Sequence, residues 1–350
     1  MNTVARITTG SWRLAVEQTY KYSNSEASEL KTKVFILSMV FVAVFCFAED
    51  EGLTIIPLLN YDFVSLENQQ FHAPGGGVIV LQGDQKPLLS EKYNNLLVGL
   101  FYKPYVLKEI LPGYSESYHD VDFVIEKKTG PHLIQGIFTT YSDKPVYGGF
   151  HTTYSSIGYG YELIRKGNLN LTLGLAIGVG DFGIDLPNGA TFPLFPMPIV
   201  RFAFNAPWVN LLYDHPEFSL TLWPESRIRV AGSVRLDTYN FHDIHDMRFN
   251  TTLWYRFFDK NSEKGDFLGI GLGIQNTGQN DGADFSLGEK DKKYDMNYYS
   301  SFGILDAGFI KLSGGYIFYG REVYGEDHHR STGKGFFIKV EMLYQFKMKG

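Results

Sequence analysis

The stretch NLNLTLGLAIGVG, Asn168 to Gly180, decides how the whole chain is read. Leu169, Leu171, Leu173, Leu175, Ile177 and Val179 fall on one side, while Asn170, Thr172, Gly174, Ala176 and Gly178 fall on the other. A period of two over a dozen residues is a β-strand, because successive side chains of an extended chain point to opposite faces. FLGIGLGIQ (Phe267–Gln275) splits in the same way, with Leu268, Ile270, Leu272 and Ile274 opposed by glycines. In RIRVAGSVRLDTY (Arg227–Tyr239) the apolar row of Ile228, Val230, Val234 and Leu236 is opposed by arginines and Ser233. Where a soluble sandwich would place its core, these strands carry glycine, serine and charge. They are also long: a sandwich strand runs about 5 to 6 residues, whereas a strand tilted by about 45° needs about 9 to 11 to cross a bilayer. Apolar side chains facing lipid and small or polar ones facing a lumen satisfy both features.

The composition agrees. The chain has 23 Tyr, 28 Phe and 37 Gly in 350 residues, an all-β bias with little helical periodicity. A net charge of -6 offers no electrostatic case for nucleic acid. The single Cys46 excludes an internal disulfide and a multi-cysteine metal site.

Near the start, LKTKVFILSMVFVAVFCFAEDEG (Leu30–Gly52) has the layout of a secretory signal. Lys31 and Lys33 precede an apolar run too short for a transmembrane helix, and small residues at Cys46 and Ala48 mark a cleavage site before Glu49. Residues 30–48 are therefore expected to be a signal peptide, 1–29 an extension from a start codon placed too early, 49–346 the barrel domain and 347–350 a short tail.

The end of the chain carries a resemblance. In FFIKVEMLYQFKMKG (Phe336–Gly350) Phe336, Ile338, Val340, Met342, Tyr344 and Phe346 form one apolar row. This resembles the C-terminal strand of bacterial outer-membrane β-barrel proteins. The resemblance implies a location in the bacterial outer membrane, contact with membrane lipid, and an assembly signal at Tyr344 and Phe346 read by the barrel-assembly machinery. The sequence departs from that pattern in continuing past Phe346.

Strands read backward from Phe346 give fourteen segments. Long loops fall at 321–335 and 276–295 on one rim, and short turns at Asp306–Gly308, 259–265 and 224–226 on the other. Further forward the alternation breaks: the short Arg165–Asn168 turn lands among the long loops, and the 181–195 loop lands among the turns. The fault is expected within residues 187–224, which hold 7 of the 14 prolines, since proline cannot donate to a ladder. The expectation is a transmembrane antiparallel β-barrel of about twelve strands, within a range of ten to fourteen.

Arginine placement is the strongest candidate for a functional constellation. Arg201, Arg227, Arg229, Arg235, Arg248 and Arg256 cluster within 56 positions, and alternation puts each opposite the apolar row. They are expected to build a basic wall in the lumen, and hence a channel or uptake protein for small solutes that prefers anions. The plain counter-reading is that acidic residues such as Asp122, Glu126, Asp237 or Glu341 neutralise them inside a closed barrel that serves as a surface adhesin or structural protein. Three other patterns are weaker. His151 with Ser155 and Ser156 lacks the His-x-Ser-Asn-Gly arrangement of the outer-membrane phospholipases. His328 and His329 sit in an acidic loop without metal-site spacing. The glycines of GIGLGIQNTG precede no helix and so hold no dinucleotide. No enzyme activity, cofactor or metal is expected.

Overall fold

The computed structural model describes residues 53–82, 94–108, 116–142, 153–180, 193–215, 217–236, 247–257, 268–278, 285–286, 293–324, 328–344 and 346–347. The proposed signal peptide and extension, His151, Asp237 and the side chains of His328 and His329 lie outside these residues. Among the described residues no helix is long and apolar enough to cross a membrane.

The described secondary structure is all strand. In chain order the first eight are β1 (Leu53–Leu66), β2 (Gln70–Gln82), β3 (Asn94–Lys108), β4 (Ser117–Thr129), β5 (His132–Ser142), β6 (Thr153–Lys166), β7 (Leu169–Val179) and β8 (Leu194–Ala206). Then come β9 (Val209–Asp214), β10 (Glu217–Leu222), β11 (Ile228–Leu236), β12 (Met247–Arg256), β13 (Gly269–Gly278), β14 (Phe285–Ser286) and β15 (Lys293–Asp306). The chain ends with β16 (Ile310–Tyr324), β17 (His328–Ser331), β18 (Gly335–Leu343) and β19 (Phe346–Lys347). All ladders are antiparallel, each barrel strand pairs with the next, and β18 returns to pair with β1. With β14, β17 and β19 as short additions, sixteen strands form a closed ring.

Sixteen corrects the expectation of about twelve. The two strands missing from the fourteen segments are β2 and β9. The first, QFHAPGGGVIVLQ, contains Pro74 and three glycines and lacks alternation across its centre. The second, VNLLYD, is six residues that follow the two-residue Pro207–Trp208 turn inside the proline-rich window. Inserting β9 restores the parity: the Gly167–Asn168 turn joins the rim that carries both described chain ends, here the near rim, and Gly180 and Pro193 lie at the far rim. Near-rim turns at Gly130–Pro131 and Gly167–Asn168 are two-residue hairpins whose glycines take φ 57° and 56°, a left-handed conformation these tight turns require.

The alternation expected along β7 is observed. Leu173, Leu175, Ile177 and Val179 are 40–57% exposed, while Asn170, Thr172 and Ala176 are buried inward. On β18 and its continuation, Phe336, Ile338, Met342, Tyr344 and Phe346 face out, each at least 43% exposed, and Phe337 is buried. Tyr–His pairs mark the outer face: Tyr61 to His72 at 2.7 Å and Tyr102 to His119 at 2.8 Å toward the far rim, and Tyr159 to His132 at 2.7 Å toward the near rim. Amphipathic rings of this kind suit the two edges of an apolar band. Inside, an apolar cluster including Tyr105, Tyr118, Met296, Ile317, Tyr324 and Phe337 covers the wall formed by β1–β5 and β15–β18.

Candidate functional site

The inner face of β11 and β12 is the site the arginines build. The ladder sets Arg235 directly opposite Arg248, Ser233 opposite Asn250, Ala231 opposite Thr252 and Arg229 opposite Trp254. Outward-facing Ile228 and Leu253 are each 52% exposed, which fixes the other parity as inward. Arg256 continues the inward row, its backbone N–H donating to the Arg227 carbonyl at 2.8 Å. Arg227 itself is exposed at the near rim. Thus the wall has two parts, Arg227, Arg229 and Arg256 near one rim and Arg235 with Arg248 toward the other, about 20 Å apart along the strand at about 3.3 Å per residue. Small polar side chains lie between them. Thr252 donates to Asn250 at 3.0 Å, and Asn250 to Gln275 of β13 at 3.5 Å.

Glycines on β13 shape the lower part. At Gly271 an added Cβ would stand 3.2 Å from Trp254 Cδ2, and at Gly273 it would stand 2.6 Å from Phe302 Cζ. The bare backbone at Gly271 therefore leaves room for the Trp254 indole, and the Arg229 guanidinium lies over that ring, 4.9 Å from its centroid. Stacking of this kind holds a guanidinium in place without neutralising it. Arg229 also feels the charges of Arg256 and of Asp306 on β15.

Arg201 departs from the wall. It sits on β8, 2.8 Å from Glu126 and 3.0 Å from Asp214, with Gln135 at 3.3 Å. The ladders make this legible, because Glu126 is set beside Gln135 and Asp214 beside Arg201. Of the acidic residues weighed as neutralising partners, Glu126 does pair with an arginine, Asp122 accepts from Thr139 at 2.6 Å, and Glu341 is taken by Lys311 and Lys339 at 2.9 and 3.2 Å. Glu162 is buried between Lys128, Arg165 and Asn170.

Four carboxylates (Asp120, Asp122, Glu126 and Glu162) thus lie on β4 and β6 and four inward arginines on β11 and β12, where Glu217 is opposite Arg235 and Asp306 acts on Arg229. In a ring of sixteen, β4 and β12 are eight strands apart and face each other across the interior. Sequence alternation found the arginines but not this opposition, since β4 is separated from β12 by more than a hundred residues. Among the described residues no group of His, Cys, Asp and Glu could hold a metal ion. Ser155 and Ser156 lie on β6 as ordinary strand residues, and the GIGLGIQNTG glycines form β13.

No protein-family model and no curated protein sequence matches the chain. Solved structures similar to it include OccAB3 of Acinetobacter baumannii, at 8% identity over 85% of this chain and 100% of that one, with a TM-score of 0.36. OccAB4 of the same organism is 12% identical over 85% and 99%, TM-score 0.35. OccK8 (OprE) of Pseudomonas aeruginosa is 9% identical over 86% and 99%, TM-score 0.32. TM-scores this low decide nothing about function or kinship; it is the chain's own strand pairing that makes it a closed antiparallel β-barrel.

Proposed function

We propose that the protein is a bacterial outer-membrane β-barrel that conducts or takes up small solutes, with a preference for anions and without enzyme activity. The observation that carries the reading is the β11–β12 wall: four inward arginines on two adjacent strands, opposite the carboxylates of β4 and β6. A low-dielectric wall focuses the field of such fixed charges into the space beside it and raises the local anion concentration. The outward apolar rows and the tight near-rim hairpins at Gly130–Pro131 and Gly167–Asn168 fit insertion with the far rim outside. On this reading Tyr344 and Phe346 are presented to the assembly machinery.

Planar-bilayer recording in a salt gradient tests it. The parent barrel should show an anion-selective reversal potential that weakens as the Debye length falls from about 10 Å at 0.1 M to about 3 Å at 1 M. Replacing Arg229 and Arg248 together by glutamine should move the potential toward neutrality without unfolding the barrel. An unchanged potential would place these arginines off the pathway.

The apolar cluster over β1–β5 and β15–β18 favours a second reading, a closed barrel that acts through its surface as an adhesin or structural protein. It predicts no conductance at all.

A further inference from the structure

Two lysines at the near rim differ from their own neighbours in the chain. Lys128 and Arg165 turn into the barrel, where the buried Glu162 carboxylate meets them at 3.2 and 3.6 Å. Lys127 and Lys166, each one residue further along the strand, face the other way, since successive side chains alternate between faces. Lys127 is paired with Ile134 of β5, which is 53% exposed on the outer face. Lys166 is paired with Leu169 of the outward β7 row and is itself exposed. Neither has an ion-pair partner among the described residues.

His132 stands between them. It is exposed at the start of β5, opposite Tyr161 and diagonal to Lys127, about 5 Å and about 8 Å away by sheet geometry. Lys166 follows beyond Tyr161, about 13 Å along the strand. His132 Nδ1 lies 2.7 Å from the Tyr159 hydroxyl, and Tyr161 meets the imidazole edge-on with ring centroids 5.4 Å apart. When Nδ1 accepts from that hydroxyl the ring proton is on Nε2, which is then a donor. Lysine stems lie along apolar surface and carry their charge toward the headgroup level. Lys127 from the side of the apolar band and Lys166 from the side of the turn therefore bracket the imidazole.

The charge of this sector is of one sign. Among the described residues the outer face of β4 to β7 carries no carboxylate, because Asp120, Asp122, Glu126 and Glu162 all face the interior. Elsewhere the exposed near-rim side chains are aromatic: Trp208, Trp223, Phe309, Tyr344 and Phe346 are each at least 50% exposed. Neutral rings suit any lipid, whereas two ammonium groups beside an imidazole donor suit a negative headgroup. Next to the cations, toward the middle of the wall, Ile134, Ile157, Leu173 and Leu175 form an apolar strip 40–67% exposed. We propose that this sector binds an anionic phospholipid, with its phosphate on Lys127, Lys166 and His132 Nε2 and its acyl chains along the strip. Only a lipid offers both parts in one molecule, which decides against phosphate free in solution. The site rests on the membrane reading above and is independent of conduction.

Native mass spectrometry of the full-length barrel in micelles tests it, with dioleoylphosphatidylglycerol and dioleoylphosphatidylcholine, which share their tails, as probes. At equal concentrations the phosphatidylglycerol adduct should exceed the phosphatidylcholine adduct about tenfold, as expected for two cations beside one anionic headgroup. Lys127→Gln with Lys166→Gln should bring the ratio to about twofold or less. Lys127→Arg with Lys166→Arg should keep it, and so should Lys108→Gln with Lys334→Gln, which removes the same charge from the far rim. A parent ratio near one, or an equal fall in the far-rim variant, overturns the proposal. The parent ratio needs no variant and so stands even where a substituted barrel fails to fold. Inorganic phosphate in excess should not displace the lipid; displacement would mean that the patch takes a free anion and overturns the lipid assignment. The full ratio without conductance overturns only the channel reading, and a chain that stays soluble without detergent overturns the membrane reading itself.

Discussion

The β1–β18 seam and the β9–β10 hairpin lie on opposite sides of the ring and are held together in different ways. At the seam, nine residue pairs join strands that are nearly three hundred positions apart in the chain. Closing so long a loop costs more conformational entropy than forming a hairpin, and the seam is reinforced accordingly. Backbone N–H groups of Glu67 and Asn68, in the β1–β2 turn, donate to Lys334 and Thr332 at 3.0 and 3.2 Å. Below them Glu322 is fully buried and accepts from Gln69 at 2.6 Å and from Arg330 at 2.8 Å. The hairpin has six pairs between residues adjacent in sequence, and its ion pairs are half in the open: the Arg201 and Asp214 side chains are 24% and 47% exposed. Closure is thus secured where pairing is least local, while β9 and β10, six residues each, pair with neighbours in sequence.

The largest expected difference comes from adding one methyl group on each side. A Cβ at Gly335 would collide with the Ser65 carbonyl oxygen and stand 2.8 Å from Leu66 Cα, both rigid backbone. Gly335→Ala should prevent the refolded protein from reaching a compact, heat-modifiable form on gels. A Cβ at Gly232, on β11, would stand 3.2 Å from the Asn250 carbonyl and 3.4 Å from Thr251 Oγ1. Gly232→Ala should fold in near-normal yield; equal failure of both variants would break the contrast.

Next in size is the removal of one carboxylate. Glu322→Ala leaves Arg330 and Gln69 facing a buried space and should cost about 3 to 5 kcal/mol in a urea titration from micelles. Asp214→Asn, at an exposed pair, should cost about 0 to 1 kcal/mol. Similar midpoint shifts for the two would mean that the seam is not specially secured.

A third variant sharpens the role of the seam in assembly. Phe346 faces out, lies opposite Ile55 of β1 and packs against Tyr344, the ring centroids 4.5 Å apart and the planes tilted by 58°. Phe346→Ala should reduce the amount of barrel reaching the outer membrane in cells while barely moving the urea midpoint of purified protein. Removing residues 348–350 should change neither. The smallest effect is expected at Arg229→Lys, which keeps the charge but loses the planar stack on Trp254. The loss should be about 0.5 to 1 kcal/mol, with anion selectivity retained.

Alternation by itself determined that β7, β11, β12 and β18 are strands with an apolar face and a lumen face, and on which face Arg229, Arg235, Arg248 and Arg256 lie. This was legible because a period of two depends only on neighbouring residues and on what lies on either side of the sheet. Even the error was local, since the broken parity pointed to the window that holds β9. The number of strands in the ring, the carboxylate partners of Arg201, the glycine bed under Trp254 and the pairing of the short β9 and β10 were decided only by the tertiary structure. Each depends on which strands pair and in what register, and hence on residues far apart in sequence. A strand such as β2, whose centre is proline and glycine, acquires its identity from β1 and β3 on either side and not from its own pattern.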